Sequence, residues 1–279
     1  MPSLPSPRFG LNHMVAPRLD LLELFRLARA LGITAVEIRN DLPGRPIADG
    51  TPPHLVRDAA RDAGVSVLSI NALQRFDEWT KRREAEAAAL ARYASGAGAR
   101  ALVLVPTNDG SGAGKAGHDE LCRSLAMLRP ILDDFGVLGL VEPLGFRTSS
   151  LRSKRQAVEA IDAVHGRDSF RLVHDTFHHA LTGEPELYPG LTGLVHISGV
   201  PDRGPSLGDL TDAHRGLVDP DDRLGNLEQI ESLLAAGYPG PLSFEPFAAQ
   251  VHGLADPRAA LADSMEFIRM GLAARGSLT

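Results

Sequence analysis

Short apolar runs alternate along the chain with longer amphipathic segments that are rich in alanine and leucine. Glycine, proline and aspartate separate the two kinds of segment, as is typical of the joins between strands and helices. The pattern predicts eight strands, at residues 9–12, 35–38, 65–71, 101–105, 136–142, 170–174, 193–197 and 241–245. It predicts helices that begin near Leu19, Pro52, Thr80, Gly117, Ser153, Pro185 (a short one), Asn226 and Asp256. A long irregular stretch, from residue 199 to about 225, precedes the seventh helix.

The predicted strands are mostly continuous apolar runs and not alternating ones, which is typical of strands covered on both faces in a parallel sheet. Eight such strands, each followed by a helix, predict an α/β fold, a (β/α)8 TIM barrel that forms a single domain over residues 8–279. Residues 1–7, rich in proline and serine, are predicted to be a flexible tail. The alternative is an open doubly wound sheet, which is disfavoured because no G-x-G-x-x-G follows the first strand.

Composition and charge narrow the classes of function. The 279 residues include 29 Lys and Arg against 35 Asp and Glu, a formal net charge of −6, which argues against a nucleic-acid-binding surface. The single cysteine, Cys122, excludes an intrachain disulfide and a cysteine-based zinc site. The first residues, MPSLPSPR, lack the apolar stretch of a signal peptide, and no segment approaches a membrane-spanning run. We therefore expect a cytoplasmic protein.

Acidic and imidazole side chains lie at the predicted ends of the last four strands, where a TIM barrel builds its active site. These residues are Glu142, Asp175, His196 and Glu245. Each alone has an ordinary structural explanation, such as a helix N-cap or a hydrogen-bonded histidine. Three carboxylates at one barrel mouth would repel each other unless a cation neutralises them, so the set predicts one divalent metal ion. Oxygen-rich ligands with one imidazole favour Mn²⁺ or Mg²⁺, and Zn²⁺ or Co²⁺ are also compatible.

Four further residues are predicted to contact a substrate. His178 lies three residues beyond Asp175, within reach of a substrate on the metal, although a histidine on a surface loop is the alternative. Arg215, in the long seventh loop, either folds back onto substrate oxygens or is a solvent-exposed arginine. Asn71 and Arg39, at the predicted ends of the third and second strands, complete the set.

The strand-end pattern Glu, Asp, His, Glu resembles that of the xylose isomerase-like TIM-barrel superfamily of sugar isomerases and epimerases. Within it, nearly the whole chain is most similar to the 2-keto-myo-inositol isomerases (inosose isomerases) of inositol catabolism. The shared segments include Val36-Glu-Ile-Arg39, Glu142-Pro-Leu-Gly145, Asp175-Thr-Phe-His178, Leu210-Thr-Asp-Ala-His-Arg215 and Ser243-Phe-Glu-Pro-Phe247. The resemblance implies that the four strand-end residues are metal ligands and that His178 and Arg215 contact the substrate. The chain departs from the family pattern at positions of the pocket wall: Phe146, Ser198 and residues 218–225.

These residues and the resemblance together predict a metal-dependent isomerase or epimerase of a polyhydroxylated ketone, an inosose or a ketose. The metal would polarise the carbonyl, and Glu142 or Glu245 would remove the neighbouring proton to give an enediolate. The expected partner is a small polyol or ketose, without nucleic acid or membrane, and a homodimer is a compatible assembly. The alternatives are an inosose dehydratase, a metal-dependent abasic-site endonuclease and a catalytically silent polyol-binding barrel.

Overall fold

Eight parallel strands close into a barrel in the computed structural model, which describes residues 5–111 and 117–276. The strands are β1 (Phe9–Asn12), β2 (Ala35–Arg39), β3 (Ser66–Gln74), β4 (Ala101–Val105), β5 (Leu138–Val141), β6 (Phe170–Asp175), β7 (Thr192–Ile197) and β8 (Leu242–Phe244). Each strand pairs with the next in sequence, and β8 pairs with β1, so the predicted single-domain TIM barrel is confirmed. Of the predicted tail, residues 1–4 lie outside the described residues, and residues 5–7 precede β1 without regular secondary structure.

Helices follow the strands and cover the outside of the barrel. They are α1 (Leu21–Ala30), α2 (Pro53–Ala63), α3 (Lys81–Ala97), α4 (His118–Phe135), α5 (Lys154–Ala163), α6 (Thr176–Thr182), α7 (Asn226–Ala235), α8 (Ala249–His252) and α9 (Pro257–Gly276). Most of the predicted helices begin within two residues of the expected position. The predicted start near Pro185 is wrong, because α6 begins directly after β6. Within the described ranges, no helix has both the length and the apolarity that crossing a membrane requires.

The start of α6 is explained by its N-cap. The carboxylate of Asp175 accepts hydrogen bonds from the backbone N–H groups of Phe177 and His178, which satisfies donors that a helix start otherwise leaves unpaired. Asp175 therefore ends β6 and begins α6 at once. His178 consequently lies on the first turn of a helix at the barrel mouth and not on an extended loop.

Apolar clusters cover both faces of the barrel strands. The larger one lies between strands and helices and includes the fully buried Leu24, Ile38 and Ile230. A smaller one is formed by strand residues of the second face, among them Val103 and Val173, and lies inside the barrel. Polar side chains of the interior are therefore concentrated towards the C-terminal ends of the strands.

The connection from β7 to α7 is held by a short backbone bridge. Gly199 N–H donates to the Gly216 carbonyl at 3.0 Å, and Gly216 N–H donates to the Gly199 carbonyl at 2.7 Å. A Cβ at Gly199 would meet the Leu217 carbonyl oxygen and lie 2.9 Å from the Cα of Val218, so only glycine fits there. The bridge returns the chain to the barrel mouth and places Arg215 in the interior.

Candidate metal centre

Four ionisable side chains meet at the C-terminal mouth of the barrel. Glu142 directly follows β5, Asp175 ends β6, His196 is the penultimate residue of β7, and Glu245 directly follows β8. All four are buried, and one ligand atom of each lies within 4.8 Å of the ligand atoms of the others. The structure thus brings together the four residues singled out at the strand ends, and their role as ligands stays a prediction.

The distances within this cluster match the spacing of ligands around one small cation. His196 Nδ1 lies 2.9 Å from Glu142 Oε1, 3.3 Å from Glu245 Oε2 and 4.0 Å from Asp175 Oδ2. Metal–ligand bonds of about 2.1 Å place neighbouring ligand atoms roughly 3 Å apart and opposite ones roughly 4.2 Å apart. Three carboxylates and one imidazole are consistent with a divalent metal site, and the residues present fit such an ion.

Burial and mutual repulsion shape the electrostatics of the cluster. Burial disfavours the charged imidazole of His196, but the carboxylates of Glu245, Glu37 and Glu142 outweigh it and raise the pKa of His196 well above its usual value. Burial also raises the pKa of the Glu245 carboxyl to about 7, with Glu142 acting in the same direction and His196 against it. The cluster therefore concentrates negative charge that a positive partner must offset.

Two arginines contact the carboxylates of the cluster. Arg215 Nη2 donates to Asp175 Oδ2 at 2.6 Å and to Glu245 Oε2 at 2.9 Å, and Arg39 Nη1 donates to Glu245 Oε1 at 2.7 Å. Burial would raise the pKa of Asp175, but the Arg215 guanidinium, His178, His196 and the backbone N–H of His178 together outweigh it and hold this pKa at about 2. Arg215 is only 2% exposed, so the solvent-exposed alternative for this residue is wrong.

A cavity of about 190 Å³ opens beside the cluster. Its lining includes all four predicted substrate contacts, Arg39, Asn71, His178 and Arg215. His178 is buried, which excludes the surface-loop alternative, and its Nδ1 has no hydrogen-bond partner within the part of the chain that the structure describes. Phe247 forms an apolar wall, and the guanidiniums of Arg215 and Arg39 lie 4.6 and 5.3 Å from its ring centroid.

The comparisons with known proteins identify the family. The family model of the xylose isomerase-like TIM barrel matches residues 25–270 of this chain. The chain belongs to the xylose isomerase-like TIM-barrel family. A xylose isomerase domain-containing protein from Salmonella typhimurium LT2 is 33% identical over 98% of both chains, with a TM-score of 0.86. No functionally curated sequence matches at a significant level.

Two more distant solved structures share the fold of this xylose isomerase-like barrel. The IolI protein, solved with a bound zinc atom, is 19% identical over 96% of this chain and 98% of its own, with a TM-score of 0.80. L-ribulose 3-epimerase is 21% identical over 96% of this chain and 95% of its own, with a TM-score of 0.68. At these identities the similarity concerns the fold.

Glu37 is the residue of this xylose isomerase-like barrel whose contacts sequence reasoning missed. It lies within β2, two residues before Arg39, and the sequence pattern predicts no role for it. Its carboxylate lies 3.2 Å from Nε2 of His196, and it accepts a hydrogen bond from Nδ2 of Asn71 at 2.7 Å. The predicted substrate contact Asn71 therefore also holds Glu37. A carboxylate inside a strand covered on both faces was the available signal, because a buried charge needs partners.

Proposed function

We propose that this xylose isomerase-like barrel is a divalent-metal-dependent isomerase or epimerase of a polyhydroxylated ketone, an inosose or a ketose. The observation that carries the proposal is the buried cluster of Glu142, Asp175, His196 and Glu245 beside a polar cavity at the barrel mouth. Two comparisons support it: an L-ribulose 3-epimerase has the same fold, and the IolI protein of that fold holds zinc. Mn²⁺ and Mg²⁺ suit the oxygen-rich set best, and Zn²⁺ and Co²⁺ are compatible.

The reaction assigns distinct tasks to the side chains. The four clustered residues would hold the ion, which supplies Lewis-acid polarisation of a carbonyl and its neighbouring hydroxyl. Glu142 and Glu245 come from different strands and both line the cavity, so one carboxylate can remove the proton beside the carbonyl and either can return it. Return at the adjacent carbon isomerises the substrate, whereas return on the opposite face epimerises it. Arg39 and Arg215 orient Glu245 through hydrogen bonds to both of its oxygens.

The size and charge of the cavity favour one small neutral polyol. Its volume of about 190 Å³ is below the roughly 300–1,000 Å³ of sites for drug-sized ligands. Four carboxylates line it, from Asp41, Glu142, Asp212 and Glu245, against two guanidiniums. The two guanidiniums and a bound divalent cation would together balance these four carboxylates, which leaves no surplus positive charge to bind a phosphate group. Unphosphorylated monosaccharides and inososes are therefore the proposed substrates, with 2-keto-myo-inositol first because of the sequence resemblance.

A panel of inososes and ketoses, incubated with the Mn²⁺-loaded protein in D₂O and followed by NMR, tests the proposal. The proposed activity yields an isomer that carries deuterium at the carbon where the proton was exchanged. A product lighter by one water would instead indicate an inosose dehydratase, and binding without exchange a catalytically silent polyol-binding barrel. Salt-sensitive binding and cleavage of abasic DNA would indicate the endonuclease.

Glu142→Gln and Glu245→Gln test the two carboxylates directly. Loss of general acid–base catalysis should lower turnover and deuterium incorporation by about 10²–10⁴-fold, because an amide cannot accept the proton. Circular dichroism should show the barrel intact in both variants. Glu266→Gln, on the exposed side of α9, is the matched control and should retain wild-type turnover. Undiminished isotope exchange in both variants would contradict the two-carboxylate scheme.

A further inference from the structure

The two ring nitrogens of His196 face different surroundings. Nδ1 is turned towards the other three members of the cluster, at 2.9 Å from Glu142, 3.3 Å from Glu245 and 4.0 Å from Asp175. Nε2 is turned away from them and lies 3.2 Å from each of the two carboxylate oxygens of Glu37. Glu37 is therefore on the opposite side of the imidazole from the cluster.

The Glu37 carboxylate is fixed by donors from two other strands. Its Oε2 accepts from Ser69 Oγ at 2.6 Å and from Asn71 Nδ2 at 2.7 Å, both on β3. Its Oε1 accepts from Ser243 Oγ on β8 at 2.5 Å. Glu37 itself is fully buried on β2, so strands on both sides hold it in place and solvent does not compete for its oxygens.

Both ring nitrogens of His196 lie beside carboxylates, Nδ1 at 2.9 Å from Glu142 and Nε2 at 3.2 Å from Glu37, so in the metal-free protein both can donate a hydrogen bond. A cation in the cluster would take the place of the proton on Nδ1, and the proton on Nε2 would stay, held by the Glu37 carboxylate, which only accepts hydrogen bonds. A neutral imidazole that carries its proton on Nε2 has its lone pair on Nδ1, which is the atom that faces the cluster. Hydrogen bonds to the second nitrogen commonly orient metal-binding histidines in this way.

We propose that Glu37 is a positioning residue of the metal centre, which holds His196 in the Nε2–H tautomer and directs Nδ1 at the cation. Glu37 acts through His196 and contacts neither the cation nor the substrate. The inference rests on the metal-binding part of the proposed function and is independent of the substrate. A purely structural role, in which Glu37 only links the strands, would affect folding stability but not the affinity of the folded protein for a cation.

Cation affinity separates the two roles. Glu37→Gln keeps the size of the side chain but places an amide N–H₂ donor among the partners of Nε2, which favours the wrong tautomer. We expect the affinity for Mn²⁺ and Zn²⁺, measured by competition titration, to fall about 10–100-fold. Ser69→Ala is the matched control, because it removes a donor to the same carboxylate without touching His196, and its affinity should stay close to that of the wild type.

A second measurement needs no substitution at Glu37. In the zinc-loaded wild-type protein, ¹⁵N NMR of the imidazoles should show His196 protonated at Nε2 and not at Nδ1, with His196→Gln identifying the signal by its loss. Protonation at Nδ1, or a Glu37→Gln variant that binds cations as tightly as the wild type, would overturn the inference. Metal binding without isomerase activity would overturn the proposed function alone. A wild-type protein that binds no divalent cation would overturn both.

Discussion

The guanidinium of Arg215 lies between the carboxylates of Asp175 and Glu245, where it supplies positive charge to the cluster. Arg215→Met removes that charge while keeping an apolar side chain of similar length. Because buried carboxylates are then left unpaired, the metal-free variant should lose roughly 3–5 kcal/mol of unfolding free energy in urea.

Added Mn²⁺ should restore more stability to Arg215→Met than it adds to the wild type, since the ion replaces the missing charge. Arg123→Met, at a largely exposed position of α4, is the control and should behave as the wild type does. An equal loss of stability with and without Mn²⁺ would contradict this account of Arg215.

The sequence reveals which residues end a strand, but it does not reveal which side chains those residues contact. The four clustered residues could be found because the end of a strand is visible in the hydrophobic pattern. The partner of a side chain could not, because Glu37 and His196 are 159 residues apart and Arg39 and Glu245 are 206 apart along the chain. Only closure of the barrel creates these pairs.

At the scale of elements, one buried lysine connects α5 to the barrel. Lys154 Nζ donates to Nδ1 of His174 on β6 at 3.2 Å and to Nδ1 of His179 on α6 at 2.7 Å. Burial lowers the pKa of Lys154 from 10.5 to about 8, although the carboxylates of Glu184 and Glu186 act to raise it. The ammonium is therefore less favourable in the folded protein than in the unfolded chain.

The pH dependence of stability should reveal this lysine. Between pH 8 and pH 10.5 the unfolded chain binds more protons at Lys154 than the folded protein does, so this residue makes stability rise with pH. The unfavourable contribution is fully present below pH 8 and disappears as the pH approaches 10.5. Urea unfolding should therefore show that wild type gains stability relative to Lys154→Met as the pH rises through this window. The exposed Lys81→Met should follow the wild type, and parallel curves for Lys154→Met and wild type would contradict the prediction.

The conformation of the loop after β7 requires glycine at position 199 but not at position 216. Gly199→Ala introduces a Cβ that would meet the Leu217 carbonyl oxygen, whereas at Gly216 the nearest atom to a new Cβ is 3.6 Å away. We expect Gly199→Ala to lose about 1–3 kcal/mol of unfolding free energy and to lower kcat/KM, because the bridge also positions Arg215. Gly216→Ala should stay near the wild type in both measurements. Equal effects of the two substitutions would contradict the steric requirement for glycine at position 199.

The predicted start of the sixth helix is wrong because Asp175 has two roles. Asp175 has two oxygens: Oδ1 accepts from the backbone of Phe177 and His178, and Oδ2 faces Arg215 and the cluster. The predicted metal role accounts for only one of these oxygens, and the predicted helix start at Pro185 lies ten residues beyond the observed cap. By contrast, α1, α3 and α5 begin directly after Asp20, Thr80 and Ser153, whose side chains cap the helix and are not part of the cluster at the barrel mouth, and their predicted starts lie within two residues of the observed ones.

For the whole molecule, a bound divalent ion should stabilise the barrel, because its proposed ligands lie at the ends of four different strands. At a free concentration of 100 times Kd, binding adds about 2.7 kcal/mol to the free energy of unfolding. Differential scanning calorimetry should therefore show a higher Tm with Mn²⁺ than with EDTA, by roughly 5 °C or more. Asp175→Asn should respond much less. A Tm that is unchanged by Mn²⁺, Mg²⁺, Zn²⁺ and Co²⁺ would contradict the metal assignment.

The barrel as a whole could be predicted because eight strands that are buried on both faces, each followed by a helix, are compatible with few other folds. The wall of the cavity could not, because it comes from loops whose course depends on local contacts such as the Gly199–Gly216 bridge. Phe146 and Phe247 line the cavity, yet their sequence context alone is equally compatible with core packing. The residues of this wall select the substrate, which the panel of inososes and ketoses is designed to identify.

The pairing of β8 with β1 has a consequence for the synthesis of the protein. The cluster draws its members from residues 142 to 245, and its supports Arg39 and Glu37 come from β2. While a ribosome is still making the chain, the early strands can form but the last carboxylate has not yet emerged. Capture of the proposed cation would thus be a late event in biogenesis that accompanies barrel closure, and nascent chains that end before Glu245 should retain no tightly bound metal.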